Sequence, residues 1–201
     1  MLFFFYYCVM KLLEDRIKKD GIVLPGNILK VNSFLNHQID VELLDKLAED
    51  FKKSFDGVDI TKIVTIEASG IAVACSVARA FGNIPVLFAK KHTSAVLSDD
   101  VYYSTVWSHT NSCNYNIVIS REYLSSDDKI LLVDDFLANG NAMKGLIEIA
   151  ENAGAKVQGI CVAIEKAFQS GGDALREKGI QVESGAIIEK MSYNGDIIFR
   201  S

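Results

Sequence analysis

Two adjacent carboxylates, Asp134 and Asp135, follow four apolar residues, Ile130 to Val133, and precede a run of small and turn-forming residues, Ala138-Asn139-Gly140-Asn141-Ala142. The apolar run reads as a strand buried on both faces and ended by the acidic pair. Beyond the small residues, Met143, Leu146, Ile147 and Ala150 recur at helical spacing. A loop that opens a helix aims free backbone N–H groups outward at the positive end of the helix dipole, which suits a phosphate. Two carboxylates beside a phosphate cradle repel the anion. They make sense where the ligand also carries hydroxyls or a developing positive charge, and a phosphorylated ribose has both. The plain alternative is a strand-to-helix turn with a solvated Asp135.

A second anion-ready turn stands at Glu67-Ala68-Ser69-Gly70, between a strand Lys62–Glu67 and a helix from Ala72 to Phe81. Ser69 offers a hydroxyl, and Gly70 lets another backbone come close. Lys90 and Lys91 close the next strand, Pro85–Ala89, either as solvated lysines or as neutralising charge for a departing anion. From Lys90 to about Asn114 the polar residues Ser94, Ser98, Tyr102, Tyr103, Ser104 and Thr105 crowd in. A loop longer than ~12–15 residues in a compact domain is usually functional or mobile. Lys166 lies just past another buried strand, Lys156–Ile164, where a snorkelled surface lysine is the ordinary reading. Asn36 reads as a turn residue, and Phe136 stacks on a ligand or packs under the loop. His37, His92 and His109 have no partner pattern.

These residues need a frame to bring them together. Asp40 reads as the N-cap of a helix reaching about Phe55. Strands then alternate with helices, which implies a parallel sheet covered on both faces. Its loops at the carboxyl ends of the strands are where such folds bind ligands. The first strand-helix unit begins near Lys62, so the preceding residues form a small hood. Short extended pieces surround Pro25-Gly26, and Val182–Phe199 reads as strands joined at Asn194-Gly195. The expected organisation is one domain over 10–201, with a core at 61–181 and a hood from 10–60 and 182–201.

The 201 residues suffice for one domain with a substantial core, and a net charge of −5 with no basic run disfavours nucleic-acid and membrane-surface roles. The four cysteines are far apart and form no C-x-x-C pair, which disfavours structural zinc and suits a reducing cytoplasm. Residues 1–9 are apolar but too short to span a bilayer, and they lack a basic lead. Met10 reads as the true start, opening an amphipathic helix through Lys19, with the nonamer outside the fold.

The segment Ile130–Ala142 resembles the phosphoribosyl-diphosphate signature of the type I phosphoribosyltransferases. Its form Asp-Asp-Phe-Leu-Ala-Asn-Gly-x-Ala is similar to the xanthine branch of that purine family. The common loop form is Ala-Thr-Gly-Gly-Thr, so Asn139, Asn141 and Ala142 depart from it and remove two threonine hydroxyls. Leu29 to Gln38 and Glu165-Lys-Ala-Phe168 resemble the same branch. The likeness covers about Met10 to Phe199. It implies a central parallel sheet flanked by helices with a hood, and transfer of 5-phosphoribosyl from its 1-diphosphate to N9 of xanthine. It implies Asp134 and Asp135 as catalytic carboxylates on the ribose hydroxyls. Ala138 to Ala142, Ala68, Ser69, Gly70, Lys90 and Lys91 would bind the phosphoribosyl diphosphate. Leu29, Asn36, Lys166 and Phe136 would meet the purine, with a flexible hairpin closing over the centre. Mg²⁺ would bind mainly through the diphosphate, with no direct protein ligand. A cytoplasmic homodimer is expected. The alternatives are hypoxanthine-guanine or adenine specificity and, in another class, a phosphoribosyl-diphosphate-sensing purine regulator. The sixty residues before the first core strand hold no basic recognition helix for the latter.

Overall fold

The structure, a computed structural model, describes residues 2–92, 100–108, 113–192 and 194–200; for 2–10, 92 and 108 it describes the backbone alone. An eight-stranded sheet runs through the centre in the order β10-β9-β8-β7-β3-β4-β6-β5. Its strands are β3 (Lys62–Ile66), β4 (Val86–His92), β5 (Val101–Ser108), β6 (Cys113–Ser120), β7 (Lys129–Leu137), β8 (Lys156–Lys166), β9 (Val182–Met191) and β10 (Ile197–Phe199). The five strands from β9 to β4 are parallel. The sheet is nonetheless mixed rather than parallel throughout, because β10, β6 and their neighbours pair antiparallel at the two edges. The chain between successive edge strands is too short for a crossover helix, so they return antiparallel.

Helices cover both faces. α3 (Gly70–Ala80) lies on one face with α1 (Leu2–Asp20) and α2 (Val41–Ser54), and α4 (Asn141–Ala153) lies on the other. Alternation along β7 explains how one strand serves both. Leu131 and Val133 enter the core under α1, α2 and α3, whereas Ile130 and Leu132 enter the core under α4. Asp40 caps α2 by accepting from the Leu43 N–H at 3.1 Å, as its type and place imply. A hairpin of β1 (Ile22–Leu24) and β2 (Ile28–Lys30) and one helical turn at Asn32–Asn36 complete the N-terminal hood.

Several boundaries differ from the sequence reading. α1 does not begin at Met10 but reaches back to Leu2, since no glycine or proline interrupts residues 2–20. β7 does not end at the acidic pair. It runs on to Leu137 because the ladder to β8 continues through Asp134–Val162 and Leu137–Glu165, and a backbone ladder is indifferent to side-chain charge. Half of the expected polar loop is strand, for β5 pairs with β6 from Val101–Ser120 to Ser108–Cys113. Ser104 hid that strand, since it occupies an inward position and buries its hydroxyl by donating to Glu148 at 2.6 Å. Ser94, Ser98 and His109 lie outside the described residues. β9 belongs to the main sheet, so the stretch Val182–Ile188 of the C-terminal hood segment is core.

Candidate active site

The chain leaves β3 toward β4 on one side and resumes on the other with β7, β8 and β9, so the strand order reverses between β3 and β7. A crevice opens there. β3 pairs with β7 only as far as Val64–Leu132, and beyond that point the two strands diverge toward their loops. Asp134 and Asp135 stand in β7 just past the divergence, 8% and 9% exposed. Adjacent strand residues point to opposite faces, and each carboxylate therefore meets different company.

Asp135 faces the hood, where Asn36 donates its side-chain N–H to Oδ2 at 2.7 Å. The turn Asn32–Asn36 presents Asn36 by burying Phe34 and Leu35 beneath it. Asp134 faces the β3–α3 turn. A Cβ on Gly70 would lie 2.7 Å from its Oδ1 and 2.3 Å from Thr65 Oγ1. Gly70 is thus required by close packing against the carboxylate. The peptide Glu67–Ala68 in this turn is cis. Ala68 is exposed, Ser69 partly so, and the Ser69 hydroxyl makes no cap bond to α3.

Burial first, and then the Asp135 carboxylate, push Asp134 well above the usual carboxylate range, with Lys91 opposing. Its pKa is ordinary in the unfolded chain and raised in the folded one. The stability linked to it is therefore full at acid pH and lost as pH rises through the folded value. Asp134→Asn removes that loss and keeps an acceptor for the Asp135 N–H, now 2.9 Å from Oδ1. The variant's thermal midpoint should exceed the parent's at pH 8 by roughly 2–4 °C, the size of ~1 kcal/mol in a chain this long. The gap should close at pH 4. Scanning calorimetry at both values checks it, and an unchanged midpoint at pH 8 refutes the assignment.

The loop Ala138–Gly140 joins β7 to α4. Gly140 takes φ 76° at the N-cap, a left-handed conformation that favours glycine. A cavity of about 200 Å³ sits over this loop, walled by Trp107, Tyr115 and Phe136. Asn141 donates to the Trp107 carbonyl at 3.3 Å, tying the loop to the β5–β6 hairpin. Of the two lysines, Lys91 turns toward the site, its ammonium 5.7 Å from the Tyr115 ring. The Glu67 carboxylate accepts the Lys91 backbone N–H at 2.7 Å, joining the strand end to the turn. Lys90 points to the opposite face, into a larger concavity of about 790 Å³ that it shares with Val86, Phe88 and Val118. The structure does not bring it to the crevice.

Lys166 ends β8 beside Phe136, its ammonium 5.3 Å from the ring centroid and donating to the Asn27 carbonyl at 3.0 Å. Burial lowers its pKa. Leu29 is buried in β2 and belongs to the core under α1, α2 and α3. The structure thus pairs Asn36 of the hood with Asp135 and Lys166 of β8 with Phe136, neighbours on β7, while Leu29 is a core residue. The sequence reading missed Trp107 and Tyr115, which sit on the concealed hairpin. It also missed Gly171, which needs no positive φ and is a glycine because of close packing on the Ala138 carbonyl, a contact that no local sequence pattern records.

A carboxylate pair inside a core strand, between a glycine-capped helix start and a hood, suits a ligand that carries both an anionic group and hydroxyls. The phosphoribosyl transferase domain family matches residues 30–195, and the chain belongs to this family. Xanthine phosphoribosyltransferases of Bifidobacterium adolescentis and Clostridium novyi are 55% and 50% identical to it, each over 96% of this chain and 100% of their own. The APRTase of Giardia lamblia, solved with 9-deazaadenine, superposes with a TM-score of 0.72 at 24% identity over 89% of this chain and 98% of its own. The adenine phosphoribosyltransferase of Saccharomyces cerevisiae gives 0.67 at 18% identity over 87% and 99%. These two share the fold.

Proposed function

We propose that this chain transfers the 5-phosphoribosyl group of 5-phosphoribosyl 1-diphosphate to N9 of xanthine, giving xanthosine 5′-monophosphate and diphosphate. The observation that supports the reading is that successive residues of β7, just before the Ala138–Gly140 loop, meet the hood and β8: Asp135 accepts from Asn36, and Phe136 lies under the Lys166 ammonium. The names of the relatives favour xanthine among the purines.

The bond from C1′ to the diphosphate oxygen breaks, the bond from N9 to C1′ forms, and the base gives up a proton. Charge develops on the ribose ring before N9 arrives. Asp134 and Asp135 accept hydrogen bonds from the 2′- and 3′-hydroxyls and stabilise that charge. The raised pKa of Asp134 reflects its burial, and the hydroxyl donors of a bound ribose favour its charged form. Backbone N–H groups at the start of α4 hold the 5′-phosphate, with Asn139 and Asn141 in place of threonine donors. Ala68, Ser69 and Gly70 hold the diphosphate, and Lys91 supplies the nearby positive charge. Mg²⁺ fits as a companion of the diphosphate. The carboxylates of Asp134 and Asp135 make the site hospitable to a cation carried by the diphosphate without being its direct ligands, and when bound it would offset the leaving group's charge.

Base choice rests on donors. Lys166 offers only donors to O6, and the Asn36 amide has a second N–H besides the one given to Asp135. Adenine presents an amine at C6 and meets Lys166 donor to donor. Activity with xanthine, guanine, hypoxanthine and adenine tests the assignment, and a preference for adenine sinks it. In Lys166→Ala, kcat/KM for xanthine should fall by about tenfold or more while donor affinity by calorimetry stays near the parent's. Loss of donor affinity with purine KM intact would assign the lysine to the diphosphate.

The reading includes a homodimer in the cytoplasm. The concavity beside β4 and β6, where exposed Phe88 and Tyr123 stand among apolar and charged side chains, would be the surface for a second copy. Cys75, Cys113 and Cys161 carry free thiols. Among the described residues no helix is long and apolar enough to cross a membrane. Residues 1–9 belong outside the catalytic fold in this reading, with 10–201 forming one domain.

A further inference from the structure

We propose that the ion pair between buried Glu165 and half-buried Arg176 is the common mount of Lys166 and the phosphate loop, a positioning device for both substrates that neither substrate touches. The inference rests on the proposed function for its reading of Lys166 and of Ala138–Ala142.

Glu165 is 0% exposed at the end of β8, one residue before Lys166. Arg176 grips it with both terminal nitrogens, Nη1 donating to Oε1 at 2.8 Å and Nη2 to Oε2 at 2.6 Å. The Ser184 hydroxyl on β9 donates to Oε2 as well. A two-pronged guanidinium–carboxylate pair fixes orientation as well as distance. Neighbouring strand residues point to opposite faces, so holding the Glu165 side chain on one face sets the direction of Lys166 on the other.

The same pair draws in α5 (Gly171–Glu177), which carries Arg176. α5 sits so close that a Cβ on Gly172 would lie 2.0 Å from Glu165 Oε1. Its first residue braces the phosphate loop. Gly171 donates its N–H to the Ala138 carbonyl at 3.1 Å. A Cβ there would lie 2.2 Å from that oxygen and 2.6 Å from the Gly140 nitrogen. A contiguous path therefore runs from Lys166 through Glu165, Arg176 and Gly171 to the loop. A buried charge pair is rarely the most stabilising way to fill a core, since apolar residues of similar volume often do as well. Placement of two loops at once is a use that apolar residues do not replace, because they lack directional bonds.

The test is Glu165→Gln combined with Arg176→Met, which removes both charges and leaves no buried charge orphaned. Steady-state kinetics with xanthine and with 5-phosphoribosyl 1-diphosphate varied in turn should give both KM values raised by about fivefold or more, with kcat at saturation changed less. Arg176→Lys keeps the charge and loses the fork, so it should raise both KM values by a smaller factor. Parent-like KM values for both substrates in a folded double variant overturn the proposal, as does a rise confined to one substrate. Should the double variant not fold, Arg176→Lys decides by the same criterion. Lys166→Ala, run alongside, separates the two ideas. An unchanged purine KM there refutes the reading of Lys166, whereas a raised one with a parent-like double variant refutes only the mount.

Discussion

Replacing Asp134 and Asp135 together by asparagine lowers kcat by at least ~10²-fold, the size of lost transition-state electrostatics, and leaves the fold in place. Both carboxylates stand where β3 and β7 diverge, inside a strand whose ladder does not depend on their charge. Asparagine keeps an acceptor for the Asp135 N–H and for Asn36. What it removes is negative charge beside the ribose ring as positive charge develops. Single-turnover kinetics with circular dichroism checks both halves, and near-parental turnover in a folded variant refutes the mechanism.

A second large effect is expected from a single methyl group. Gly171→Ala places a Cβ against the Ala138 carbonyl and the Gly140 nitrogen, both backbone atoms of the phosphate loop. Backbone cannot swing aside as a side-chain tip can, so the loop or the start of α5 shifts. A displacement of 1 Å at a positioned site costs on the order of 10²-fold in rate. The loss should appear as a raised KM for the phosphoribosyl donor, measured at saturating purine, with purine KM less affected. An unaltered donor KM in folded Gly171→Ala shows that the loop does not hold the phosphate.

Much of this site was legible because its chemistry lies in short contiguous runs. Ile130 to Ala142 carries strand, acidic pair, phosphate loop and helix start in one segment, and Asp40 announces α2 by residue type alone. The less legible parts depend on long-range packing. Asn194-Gly195 marked the antiparallel edge at β9 and β10, but the parallel reading missed the β4–β6–β5 edge because β5 buries a serine, Ser104, and exposes Tyr103 and Trp107. Lys90 and Lys91 are identical in sequence terms, and only the pleat of β4 sends one toward Asp134 and the other away. Gly171 looks like any loop glycine until α5 is laid on the phosphate loop. The bond from Asn36 to Asp135 spans 99 residues of chain. No local pattern records such a contact.

In the proposed reaction that bond would join the two half-sites, base and sugar. A base edge arriving at Asn36 and a ribose hydroxyl arriving at Asp135 both redistribute one shared hydrogen bond. Occupancy of either half-site then changes the binding free energy of the other, and by linkage the two changes are equal in size and sign. Affinity for the base is accordingly not a single constant of the free chain but a function of whether the sugar is in place. That coupling would have a local origin in one amide and one carboxylate, and because it is reciprocal it leaves the order of substrate addition to the separate affinities of the two half-sites.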